Sequence, residues 1–235
     1  MAKLAAPHHE RHRSEHIGWM RASVLGANDG LISTSALLVG IASANATPQV
    51  ILLTGVAALT AGALSMAAGE YVSVSSQADT EAADTAKERL ELESAPEAEL
   101  AELTHIYVQR GLDKALAQQV AQQLTAHDAL GAHLRDELGI SQVFAARPVQ
   151  AALSSAAAFA VGALPPPLLA WLWRGDGLSV AITVVTLVLL AVLGALAGRL
   201  GGASMRKGAL RVLFWGAVAL GVTAGIGHLF GVSTA

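Results

Sequence analysis

Asp29 is the single charged residue in the apolar stretch ASVLGANDGLISTSALLVGIAS, residues 22–43. A helix rises about 1.5 Å per residue, which puts Asp29 about 15 Å into a span that starts near Trp19, close to mid-bilayer. A central aspartate costs about 2.5–3.5 kcal/mol on insertion scales, so such a residue marks an ion or proton pathway, or a polar joint between helices. In the next apolar stretch Met66 and Glu70 stand four residues apart and share a helix face. A thioether beside carboxylates favours a transition metal over Mg²⁺ or Ca²⁺.

A second set of candidate ligands lies in the polar middle of the chain. Glu81, Asp84, Glu88 and Glu91 recur at three- and four-residue steps, as do Glu99, Glu102 and His105; His133, Asp136 and Glu137 follow. Like charges on one helix face repel by a few tenths of a kcal/mol per pair, about 0.2–0.5, unless a cation neutralises them. Carboxylate and imidazole together suit a divalent first-row metal. A plain solvated acidic face is the competing reading. Glu102-x-x-His105 also matches an element of di-iron carboxylate bundles, but such a site needs two of them and this chain offers one. His8, His9, His12 and His16 are further imidazoles on what reads as a loose tail. There is no cysteine, which removes disulfides, thiolate metal sites and thiol catalysis.

These residues need elements to hold them. The chain has 235 residues, 53% of them hydrophobic and 14% charged, against about 25% charged in ordinary soluble domains. Thirteen of the 18 acids fall between Asp79 and Glu137, with five Lys or Arg; the remainder carries five acids and ten bases. An acidic polar insert thus interrupts an apolar, mildly basic protein. Five stretches match the roughly 20 apolar residues of a membrane span: about Trp19–Ile41, Gln49–Ser73, Val149–Trp173, Leu178–Arg199 and Ala209–Phe230. Pro165, Pro166 and Pro167 should distort the third. Gly26 and Gly30, then Gly194, Gly198 and Gly202, then Gly221 and Gly225, follow the small-xxx-small pattern of close helix packing.

Basic residues alternate side by side. Arg11, Arg13 and Arg21 precede the first span, Arg147 flanks the insert, and Arg199, Arg206, Lys207 and Arg211 lie in or beside the fourth connection. That pattern predicts a cytoplasmic N-terminus, a cytoplasmic insert and an outside C-terminus. The N-terminus shows no apolar run before a cleavage site, so no cleavable signal peptide is expected. The insert reads as three helices. The first covers DTEAADTAKERLELE, the second starts at a capping box of Ser94 and Glu97 with Pro96 in its first turn, and the third is capped by Asp113. Gly111 and Gly139 suit helix stops. The third helix carries a thin stripe of Leu116, Val120 and Leu124, then Leu130, Leu134 and Leu138.

Three segments in order, SEHIGWMRASVLGANDGLIST, LSMAAGEYVSVSSQADTE and HDALGAHLRDELGI, resemble the vacuolar iron transporter (VIT) family in its bacterial form. The likeness runs from about Glu15 to the end; the first two segments are specific, while the last three spans match in layout. It implies an all-α fold: a five-span transmembrane homodimer with a cytoplasmic three-helix metal-binding domain between spans two and three. The divisions expected are residues 1–18 as an N-terminal segment, 19–74 as spans one and two, 75–147 as the acidic domain and 148–235 as spans three to five. It implies proton-coupled export of Fe²⁺, and often Mn²⁺, from the cytoplasm, with no fixed cofactor and no nucleic-acid partner. A bacterial plasma membrane is the expected location.

Carried over by position, Asp29 and Met66 match the family's intramembrane aspartate and methionine, and Glu88, Glu91, Glu99, Glu102 and Glu137 match its domain glutamates. Asp29, Met66 and Glu70 are then the expected path, with Glu88, Glu91, Glu99, Glu102, His133, Asp136 and Glu137 as metal ligands. This chain departs from the family at two places. Ala58 stands where plant-like members have a second-span glutamate, for which Glu70 is a substitute, and His133 stands where they have a methionine. Two rivals make different predictions: a membrane-anchored di-iron ferroxidase would consume O₂ without needing Asp29, and a metal sensor would bind metal without flux.

Overall fold

The computed structural model describes residues 14–140 and 146–232, with side chains from residue 23 onward and to residue 231. His8, His9 and His12, and the side chain of His16, lie outside the described residues. All regular structure among the described residues is helical: α1 (Ser14–Ser43), α2 (Pro48–Ser94), α3 (Pro96–Gln109), α4 (Lys114–Asp136), α5 (Pro148–Ala163), α6 (Pro165–Leu172), α7 (Leu178–Leu200) and α8 (Met205–Val232). Five stretches are long and apolar enough to cross a membrane: in α1, in α2, across α5 and α6, in α7 and in α8. The chain divides into two compact units, one of residues 1–70 with 150–235, the other of Tyr71–Val149.

The separate first helix expected for the insert does not exist. α2 runs from Pro48 to Ser94, 47 residues, without a break. Residues 71–94 contain neither Gly nor Pro, so nothing in the sequence stops the helix after Glu70.

In the first unit, α1 touches its neighbours through backbone-close contacts. A Cβ on Gly30 would overlap the Phe159 carbonyl, and one on Gly162 would overlap the Ala27 carbonyl, so α1 and α5 approach nearer than any side chain permits. Gly227 of α8 abuts Gly40 of α1, and Gly194 of α7 abuts Gly208 of α8, in the same way. The buried Thr186 hydroxyl of α7 donates to Ser35 of α1 at 2.7 Å. Leu38, Val39, Ile51, Ile182 and Leu220 form the apolar core. One glycine expectation changes: Gly202 has φ +72° and makes the turn between α7 and α8. Gly221 and Gly225 have no neighbour within 4 Å of a Cβ in the single chain, and their pattern left open whether such packing is within one chain or between two. The three prolines separate α5 from α6, while Leu164 between them keeps helical angles (φ −69°, ψ −41°). Its amide bonds to the Ala160 carbonyl at 3.0 Å, and its own carbonyl accepts from Leu168 at 3.2 Å. The prolines have no N–H to offer the preceding turn, which is where the regular helix breaks.

In the second unit, α3 and α4 close on Leu103, Ala121 and Ala132. The predicted stripe meets that core only in part: Leu124 packs against it, while Leu116 is 45% exposed and Ala117 and Ala121 are fully buried. Small residues let the two helices approach closely, so packing selected alanine over the larger apolar residue beside it. The capping box also fails. The N-cap of α3 is Ala95 with no side-chain hydrogen bond, and the Ser94 hydroxyl donates back to the Glu91 carbonyl at 3.4 Å. Asp113 does cap α4, accepting from Ala115 and Leu116 at 3.0 and 3.1 Å. Gly111 (φ +99°) and Gly139 (φ +67°) follow α3 and α4 in left-handed conformations, as their residue type predicts. α4 breaks at Asp128 (φ −161°, ψ 87°), whose carboxylate accepts from Gly131 N–H at 3.0 Å and restarts the helix. A Cβ on Gly131 would collide with that carboxylate.

Candidate metal site

Three helical segments of the second unit converge on His133. α2 brings Glu88, α3 brings Glu99, the second segment of α4 brings His133, and Glu137 follows at its end. One ligand atom from each lies within 4.8 Å of the other three. His133 Nδ1 stands 3.0 Å from Glu88, 3.0 Å from Glu137 and 3.8 Å from Glu99. The imidazole is fully buried, Glu88 and Glu99 are buried, and Glu137 lies at the open edge.

One ring N–H cannot serve three carboxylates. The hydrogen bond goes to Glu137, and Glu88 Oε1, though close, has no hydrogen-bond partner. His133 Nε2 is likewise buried without one. Unsatisfied buried oxygens carry the full desolvation cost of the group. Burial pushes the Glu88 carboxyl above its ordinary value, and Glu137 adds to the rise while His133 opposes it. Burial also raises Glu99, helped by Glu102, with His133 again opposing. A divalent cation among these oxygens would relieve the carboxylate penalties, since a neighbouring positive charge favours the ionised carboxylate.

The remaining predicted ligands sit around this group. Glu91 is half-buried and pairs with Lys87 at 3.4 Å. Glu102 is exposed on α3; so is His105, whose ring contacts Gln109 at 2.8 Å. Both glutamates still raise Glu99 through space. Asp136 is engaged elsewhere. It accepts from the Tyr107 hydroxyl at 2.8 Å, Arg110 at 2.7 Å and Arg135 at 2.6 Å. Burial pushes its carboxyl upward, but these hydrogen bonds prevail and hold it well below the usual carboxylate range. Arg110 also donates to the Asp136 carbonyl at 3.0 Å, which ties the end of α3 to the last turn of α4 beside Glu137. Sequence reasoning passed over this pin, because neither Tyr107 nor Arg110 belongs to a recognisable motif. A cleft of about 990 Å³ along Glu81, Arg89, Asp128 and Arg135 includes none of the four converging residues.

In the membrane unit, Leu25, Asp29, Ser33 and Leu37 form an exposed stripe at four-residue steps on α1. The Ser33 hydroxyl donates to the Asp29 carbonyl at 2.6 Å. Asn28 Oδ1 is buried without a partner. Met66 and Glu70 are half-buried on α2. Among the described residues no hydrogen bond or ion pair links Asp29, Met66 and Glu70 to one another.

A family model described as the VIT family matches residues 20–228. A vacuolar iron transporter of Acanthamoeba castellanii is 49% identical over 226 residues, covering 94% of this chain and 82% of its own length. Vacuolar iron transporter homolog 1 of Oryza sativa subsp. japonica is 35% identical over 215 residues, 91% of this chain and 75% of its own length. Vacuolar iron transporter homolog 2 of Arabidopsis thaliana is 32% identical over 220 residues, 93% of this chain and 88% of its own length. These relatives come from an amoeba and plants, so the likeness is to the family at large and does not single out a bacterial form.

Proposed function

The chain is an integral membrane protein of the VIT family, and from that premise we propose that it exports Fe²⁺, and Mn²⁺ with it, from the cytoplasm in exchange for protons. One observation carries the proposal: three carboxylates and an imidazole held within 4.8 Å of one another in the polar unit. Oxygen and nitrogen donors of this kind suit divalent first-row metals. Residues 75–147 act as the cytoplasmic collector, with Glu88, Glu99, His133 and Glu137 as its ligands and Glu91 and Glu102 as a surrounding negative field. Residues 1–18 lie on the same side, as the placement of basic residues supports. Residues 19–74 and 148–235 form the membrane part.

The ion then passes Glu70 and Met66 to Asp29. Asp29 is exposed on the single chain, on a helix of membrane-spanning composition. Leaving it against lipid costs about 2.5–3.5 kcal/mol, so a second copy covers this face and the path runs where the copies meet. There Asp29 holds a proton or a metal ion in turn, because burial favours the neutral acid and a cation favours the carboxylate. The test is metal movement in sealed vesicles with an imposed pH gradient. Flux that follows the gradient in sign, and stops when an ionophore collapses it, supports proton exchange. Flux indifferent to the gradient removes the coupling, and metal binding without flux makes the protein a sensor.

A further inference from the structure

We propose that the α7–α8 hairpin end is a binding site for anionic phospholipid headgroups. The sequence after Asp176 contains no Asp or Glu at all. Yet this end of the membrane unit gathers Arg199 from the last turn of α7 and Arg206, Lys207 and Arg211 from the first two turns of α8. Gly194 against Gly208 and Gly198 against Ser204 hold the two helices together at this end, so the four cations share one small region. All four are exposed, and none has an acidic partner among the described residues. At the opposite end of α7, by contrast, Arg174 stands two residues from Asp176.

The cations continue directly into an apolar face. Lys207, Arg211, Phe214, Val218 and Val222 follow helical spacing on α8 and are all exposed. Phe214 and Trp215 stack edge to face with centroids 5.2 Å apart, and both stay more than half exposed. Trp215 lies about 6 Å along the axis from Arg211. Trp seated at the headgroup level, with Arg and Lys stems reaching outward over apolar surface, is the arrangement of an interfacial anchor. Uncompensated cations at that depth meet lipid phosphates, and each one engaged enriches anionic lipid locally about fivefold. The bilayer supplies such groups at high local concentration, whereas free phosphate would have to be drawn from solution.

The test uses the full chain with Trp19, Trp171 and Trp173 replaced by Phe, which leaves Trp215 as the reporter, in vesicles containing a minor fraction of brominated lipid. Brominated phosphatidylglycerol should quench Trp215 several-fold more than brominated phosphatidylcholine at equal mole fraction, and rising NaCl should shrink the difference. Arg206→Gln, Lys207→Gln and Arg211→Gln together should abolish it, while Arg174→Gln should leave it unchanged. Inorganic phosphate at matched ionic strength should not displace the lipid. Equal quenching by the two lipids, a salt-independent preference, or displacement by inorganic phosphate would each overturn the proposal. The lipid and salt comparisons need no charge variant, so they decide the matter even if the triple variant misfolds.

Discussion

Replacing Glu88 by Gln should stabilise the metal-free protein and weaken its metal binding, two effects of opposite sign from one change. Glu88, Glu99 and Glu137 place carboxylate oxygens within 4.8 Å of one another, where two unit charges at an effective dielectric of about 20 repel by about 3.5 kcal/mol. The Glu137 side chain is 26% exposed, and this contact with water brings its share below that figure. Partial protonation of Glu88, already favoured by its burial, relieves some of the repulsion, and the lost attraction to His133 offsets more. A net gain of about 1–2 kcal/mol for the metal-free unit remains, worth about 4–8 °C per kcal/mol in a domain of this size. Removing one charged ligand should raise the Mn²⁺ Kd about 100-fold, close to 2.8 kcal/mol. Metal at 100 times its Kd stabilises the parent by about 2.7 kcal/mol, and the variant should lose nearly all of that. The assay is thermal unfolding of the purified full chain in detergent with and without Mn²⁺, alongside calorimetric titration. A Glu88→Gln protein that melts lower without metal, yet binds Mn²⁺ like the parent, would refute the reasoning and make the group an ordinary ion-pair network.

Other expectations follow from the same geometry. The carboxyls of Glu88 and Glu99 sit above their ordinary 4.5, so the folded unit retains protons that the unfolded chain has released. Their stability penalty is absent below that value and develops as pH rises through the raised ones, so metal-free melting should improve from pH 7 to pH 5 while Mn²⁺ affinity falls. Asp136 has the opposite sign: its depressed carboxyl stabilises the fold above its ordinary 3.8, and this contribution fades as pH falls below it. Arg110→Ala should therefore cost about 1–3 kcal/mol at neutral pH and narrow that acid dependence, read by melting across pH. Asp113→Ala should cost about 1 kcal/mol through loss of the α4 cap, measured by the same unfolding assay. Gly30→Val should prevent α1 from docking on α5 and give aggregated protein on size-exclusion chromatography; a monodisperse variant would contradict the close contact.

The spans were legible because roughly 20 apolar residues in a row have few other uses, and the helix stops at Gly111 and Gly139 because glycine adopts positive φ cheaply. Membership of the metal group was legible only in part. Spacing along one helix shows which glutamates share a face, and cannot show which faces of α2, α3 and α4 meet. Glu88 and Glu99 point inward with His133, whereas Glu102, on the same helix as Glu99, is exposed. Asp136 looked equivalent to Glu137 in sequence, but Tyr107 and Arg110 reach it from 29 and 26 residues away. The break at Asp128 was hidden because a continuous helix also fits the apolar pattern there; the signal was the local pair of Asp128 and Gly131. The Ser94 box failed because local side-chain capping is a weak preference that α2, continuing to Ser94, overrides.

The most direct test of the transport proposal is Mn²⁺ entry into sealed vesicles carrying the parent protein, Asp29→Asn or Glu88→Gln, under one imposed pH gradient. Asp29→Asn should abolish flux while leaving Mn²⁺ binding to the polar unit intact, and Glu88→Gln should slow flux at low metal and recover at high metal. Parent-like flux from Asp29→Asn would contradict the account.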